Sequence, residues 1–227
     1  MRGFVPMALV NKKIENNIKK RDENKRLPGT LGGKRRQLIL AAFHECIIDQ
    51  GYAKTTLRDV AKGAGMTASH LLYYFSGKDA ILEQFFEDVS QTIVERLESF
   101  APEAPDRQID LLAELFFAGK GITRSEIGFM LECFGVAVHD KHLRNHKKKL
   151  DRYCKNYMKD LFLRAPGGRG TPEDAAEIGY SLLVGLRTAA YFDPQLKLSR
   201  AQRLFHDELT ILAGFSPDRD ANKRIRE

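Results

Sequence analysis

The side chains best placed to do chemistry are concentrated in residues 56–75, TLRDVAKGAGMTASHLLYYF, and that chemistry is hydrogen bonding to nucleic acid rather than catalysis. Thr67, Ser69 and His70 can meet base edges in a major groove, where each base pair shows a distinct donor and acceptor pattern, and Ala68 can touch only an apolar feature such as a thymine methyl. Tyr73, Tyr74 and Lys78 supply hydroxyl and ammonium donors, which suit phosphate oxygens and set register. Such groups need a short, rigidly held helix. Thr55 or Thr56 and then Thr67 stand where a side-chain oxygen caps a helix start. Between them Gly63-Ala64-Gly65 supplies a glycine turn, so residues 56–75 read as two short helices of a helix-turn-helix. The second helix of that motif enters the major groove.

The flanking periodicity predicts how this pair is supported. Leu38, Ala41, Ala42 and Cys46, with Ile39, Phe43 and Ile47 alongside, recur at three- and four-residue steps, which predicts a helix from near Lys34 that stops at Gly51. Leu57, Val60 and Ala61 form the buried stripe of the second helix, and Leu71 and Leu72 are expected to face inward from the third. Ile81, Leu82, Phe85, Phe86, Val89, Ile93 and Leu97 predict a fourth helix over 78–100, ended by Pro102 and Pro105. Five more helices are predicted, over 109–117, 127–139, 143–163, 172–191 and 200–215. The fold class is therefore all-α: a three-helix head joined to a larger helical body.

The head resembles that of the TetR family of regulators. Gly51-Tyr-Ala-Lys-Thr55-Thr56, Val60-Ala61-x-x-Ala64-Gly65-Met66 and the run ending Tyr74-Phe75 before Lys78 match that family in order and spacing over residues 34–94. One departure is Leu72, where the family usually has an aromatic. The resemblance implies that Thr56 and Tyr74 bond phosphates, that Lys78 adds a charged contact, and that Thr67, Ala68, Ser69, His70 and Tyr73 read bases. It further implies an effector pocket in the body and a homodimer whose last two long helices pair across a two-fold axis, as a palindromic operator demands. The expected function is a sequence-specific transcriptional regulator, a repressor released by a small molecule. The alternative is an architectural or protein-recruiting DNA binder without an effector.

Within the body, Phe116, Phe117, Phe129, Met130, Cys133, Phe134, Tyr153 and Tyr157 are aromatic, Met and Cys positions at helical spacing. They are candidates for lining an effector pocket, which would favour an apolar or aromatic ligand, or else they are plain core. Ile178, Leu182, Gly185, Leu186 and Ala189 form one apolar stripe, and Leu204, Leu209 and Leu212 a second; both are candidates for the dimer interface.

The net charge is +7 over 227 residues, and residues 1–36 hold eleven of the 37 Lys/Arg but three of the 30 acids. A basic arm on a nearly neutral remainder points to a polyanionic partner. Residues 1–32, ending in a Pro- and Gly-containing stretch, read as a flexible basic extension, 33–94 as the DNA-binding head and 95–227 as the body. Lys34, Arg35 and Arg36 are expected at phosphate or in the minor groove. No apolar run approaches the roughly 20 residues of a membrane span, so a cytoplasmic protein is expected. Three scattered cysteines give no disulfide framework or zinc ribbon. His139, His142 and His146 lie beside Lys147-Lys148-Lys149 and read as a solvated basic face rather than a metal site. With no Gly-rich phosphate loop, H-E-x-x-H or G-x-S-x-G in the sequence, neither enzyme nor cofactor is expected.

Overall fold

A computed structural model describes residues 31–118, 123–168 and 170–216, so nearly all of the basic extension lies outside the described residues. The elements described are helices: α1 (Leu31–Gln50), α2 (Leu57–Gly63), α3 (Ala68–Tyr74), α4 (Lys78–Phe100), α5 (Pro105–Phe117), α6 (Arg124–His139), α7 (Lys141–Arg164), α8 (Pro172–Phe192) and α9 (Leu198–Leu212). The α1 helix starts at Leu31, three residues before Lys34. At the other end, α9 stops at Leu212 rather than Phe215, because the Phe215 N–H turns back to the Thr210 carbonyl at 3.0 Å. No described helix is long and apolar enough to cross a membrane.

These helices fall into two compact units. Among the described residues, the first contains 31–95 and 123–150. Its core joins Ile39, Phe43 and Ile47 of α1 to Val60 of α2, Leu71 of α3 and Ile81, Leu82 and Phe85 of α4. At the start of α2 the Thr56 hydroxyl accepts from the Asp59 N–H, while the Asp59 carboxylate accepts from the Thr56 N–H at 2.9 Å, forming a reciprocal capping box. Leaving α2, the Met66 N–H reaches the Ala61 carbonyl at 2.9 Å and the Gly65 N–H the Lys62 carbonyl at 3.1 Å. That Schellman arrangement needs a left-handed residue, and Gly65 supplies it with φ +66°.

The first unit is larger than the expected 33–94 head, because α6 belongs to it. Phe129, Cys133 and Ala137 of α6 are buried in the same core, and the Phe129 ring lies 4.7 Å from the His44 ring and 4.8 Å from that of Phe85. Two carboxylates of α6 add polar anchors. Glu126 Oε2 lies 3.0 Å from Nε2 of the buried His44, and Glu132 accepts the Tyr52 N–H at 3.1 Å.

The second unit contains the end of α4, α5, most of α7, α8 and α9. Ala201, Phe205, Leu209 and Leu212 form the buried face of α9, which packs on α5 and α8. Phe205 meets Phe117 with ring centroids 5.2 Å apart. On α8, Gly179 allows close approach, since a Cβ there would stand 3.2 Å from Leu209 Cδ2.

Candidate nucleic-acid interface

The third helix is capped by Thr67, whose hydroxyl oxygen accepts the His70 N–H at 3.2 Å. Its hydroxyl proton stays available for an outside acceptor. Ser69, His70 and Tyr73 are exposed, Tyr73 by 74 %, and Ala68 is partly so. Tyr74 is half-buried, with its ring 5.4 Å from His70 and 5.2 Å from Tyr73. Thr67, Ser69, His70 and Tyr73 thus face outward, while Ala68 and Tyr74 pack partly against the core beside the fully buried Leu71. Leu72 differs from the inward placement expected of it. It is 49 % exposed, because the side of α3 turned to the core runs through Ala68, Leu71 and Tyr74 at three-residue steps, and Leu72 is rotated away from that stripe.

Four of the expected contacts are committed inside the protein. Thr55 is buried and its hydroxyl donates to the Gly51 carbonyl at 2.8 Å, which removes it from any external surface. Thr56 is exposed, but its hydroxyl donates to Asp59 Oδ2 at 2.6 Å, so the proton a phosphate would need is already used. The Arg36 guanidinium lies 4.2 Å above the Phe75 ring and donates to the Tyr74 carbonyl at 2.9 Å. Burial pulls its pKa below the usual arginine value, an effect that Asp88 opposes. Lys78 donates to the Tyr52 carbonyl at 2.8 Å and to the Thr55 carbonyl at 3.1 Å, with its ammonium 4.1 Å from the Tyr52 ring. One of its three N–H groups remains for a phosphate.

Both cations therefore hold the motif together. Arg36 ties α1 to the end of α3, and Lys78 ties the start of α4 to the loop before α2. The Tyr52 hydroxyl donates to Asp79, and its proton is held well above the ordinary tyrosine range by burial and then by that bond. Lys34 is exposed and Arg35 half-buried on α1, while Lys54, Arg58 and Lys62 are exposed cations that motif spacing did not single out.

Among the pocket candidates, Phe129, Met130, Cys133 and Phe134 lie in the first unit, and Phe116, Phe117, Tyr153 and Tyr157 in the second. Phe129 and Cys133 are core of the first unit, where burial raises the Cys133 thiol pKa. The Phe134 ring carries the Lys147 ammonium at 4.5 Å. In the second unit the Tyr157 hydroxyl donates to Gln108 Oε1 at 2.7 Å, and burial raises its pKa. Gln108 is itself fully buried and donates to the Glu103 carbonyl at 2.6 Å. Tyr153 reaches Glu98 at 3.4 Å.

The dimer candidates also divide. On α8, Ile178, Gly185 and Ala189 are exposed and Leu182 and Leu186 half-buried, and Phe192, 69 % exposed, extends the stripe. On α9 the outward apolar residues are Leu204 and Ile211. Leu209 and Leu212 face the interior of their own unit, so they are not available to a partner. His146 of the basic run lies 3.7 Å from Glu83, and no group of three or more potential metal ligands occurs among the described residues.

Residues 39–85 match the family described as bacterial regulatory proteins, tetR family, and residues 105–214 match the C-terminal region of BetI-type transcriptional repressors. The HTH-type transcriptional regulator BetI 1 of Chromohalobacter salexigens is 28% identical over 179 residues, which is 77% of this chain and 87% of the relative. Among solved structures, a transcriptional regulator from Saccharomonospora viridis in complex with choline is similar at a TM-score of 0.68 and 16% identity, covering 77% of this chain and 94% of that one. SmeT, the repressor of the Stenotrophomonas maltophilia multidrug efflux pump SmeDEF, is similar in its triclosan complex at a TM-score of 0.64 and 21% identity, covering 82% of this chain and 93% of SmeT.

Proposed function

The chain belongs to the TetR family of bacterial regulatory proteins and is a DNA-binding transcriptional regulator; we propose that it acts in the cytoplasm as a homodimeric repressor that leaves a palindromic operator when a small molecule binds its second unit. The observation that carries the DNA-reading part is α3: a helix anchored by the buried Leu71, with Thr67, Ser69, His70 and Tyr73 exposed and Tyr74 half-buried at its end. In this reading Ser69, His70 and Tyr73 meet base edges, and Thr67, Tyr74 and the third proton of Lys78 meet phosphate. Arg36, Thr55 and Thr56 position these groups.

Dimerisation is supported by the α8 stripe of Ile178, Leu182, Gly185, Ala189 and Phe192 with Leu204 and Ile211 of α9, apolar surface that one protomer leaves open to solvent. For the effector, the second unit offers the buried aromatic side chains Phe116 and Phe117 and, as polar groups, the Tyr157 hydroxyl bonded to the buried Gln108. Fold neighbours bind choline and triclosan, which makes these two compounds the first probes to try. An effector of this kind works only through its differential affinity for the operator-bound and free arrangements.

Selection from a randomised duplex pool at near-physiological salt tests the reading. Enrichment of a palindrome by a dimeric species supports it, and binding without enrichment contradicts it. Release of that palindrome by one member of a metabolite panel containing both probes would support the effector step; retention against the whole panel would remove it.

A further inference from the structure

Leu72 is the one large apolar side chain other than Tyr73 on the outward surface of α3. It is 49 % exposed and lies outside the core to which Leu71, its neighbour, belongs. Packing therefore does not account for a leucine at this position. A leucine there can neither donate to phosphate nor hydrogen-bond a base edge. Helical geometry places it three residues from Ser69 and four from Ala68, on the side of α3 that also carries Tyr73. A side chain among base-reading groups that offers only apolar contact has one partner of matching chemistry in a major groove, the C5-methyl of thymine.

We infer that Leu72 is a specificity-determining residue that selects a thymine in each half-site by burying its methyl group. The inference rests on α3 being the base-reading helix, as argued under the proposed function.

The test uses the full-length dimer and the palindrome that it enriches. Each thymine is replaced in turn, in both half-sites, by deoxyuridine, which lacks only the methyl. One symmetry-related pair is expected to weaken wild-type binding by about fourfold per half-site, the worth of one buried methyl-sized group. In Leu72→Ala the same replacement is expected to have no effect, while its affinity for the thymine duplex falls to that of wild type on the deoxyuridine duplex. Insensitivity of the wild type to every deoxyuridine overturns the inference without any variant. Undiminished sensitivity in Leu72→Ala also overturns it, because another side chain then holds the methyl. Failure to enrich any palindrome would overturn the proposed function together with this inference, whereas enrichment with methyl insensitivity would overturn this inference alone.

Discussion

The guanidinium of Arg36 donates to the main-chain carbonyl of Tyr74 at 2.9 Å, so the helix that opens the head holds the last turn of α3, the helix proposed to read DNA. Tyr74 is the final residue of α3, and its carbonyl has no partner within so short a helix. Arg36 supplies that partner while its charge rests on the Phe75 ring.

Arg36→Ala is therefore expected to act on stability before it acts on affinity. Loss of a half-buried, charge-assisted bond costs about 2 kcal/mol of folding free energy. Denaturant titration should show that loss, and affinities for cognate and random duplexes should fall in parallel. An Arg36→Ala protein of wild-type stability with a reduced salt slope would instead return Arg36 to the phosphate role first expected of it.

The capping box at α2 makes a pH-dependent prediction. Hydrogen bonds from the Thr56 hydroxyl and N–H hold the Asp59 carboxyl below its ordinary pKa. A depressed folded-state value means that the contribution of Asp59 is fully present above the unfolded value, about 3.9, and is lost as pH falls through the lower folded value. The difference in Tm between wild type and Asp59→Asn should be constant from pH 7 to 5 and shrink below pH 4. A difference that grows on acidification would contradict the assignment.

Ile178 and Leu209 separate association from folding. Ile178 is 49 % exposed on α8 and Leu209 is fully buried on α9. Ile178→Glu should give a folded monomer with near wild-type helicity in analytical ultracentrifugation and circular dichroism. Leu209→Ala should cost about 2–5 kcal/mol of stability through the cavity it leaves, without lowering the dimer fraction of the folded protein. A stable Leu209→Ala monomer would restore Leu209 to the interface.

Much of this architecture was legible in the chain. Apolar spacing located the helices to within a few residues, and Thr56, Gly65 and Thr67 marked the helix-turn-helix, because caps and left-handed turns are local and demand particular residue types. Periodicity tells which face is buried but not against what. It could not show that Phe129 and Cys133 pack under α1 and α4, or that Leu209 and Leu212 turn inward while Leu204 and Ile211 turn out. The internal partners of long cationic side chains were not legible for a related reason. Spacing places Arg36 and Lys78 near the motif, but the carbonyls of Tyr74, Tyr52 and Thr55 that hold them are brought within reach only by the tertiary fold.

The central claim is that α3 reads sequence, and the most direct measurement is the affinity of Tyr73→Ala for the enriched palindrome and for a scrambled duplex of equal length and salt. Tyr73 is 74 % exposed, so its removal leaves the core intact. The preference for the palindrome should fall by about tenfold or more per half-site, the usual worth of a base contact, with scrambled-duplex affinity unchanged. Equal losses on both duplexes, or an unaltered preference, would contradict the claim.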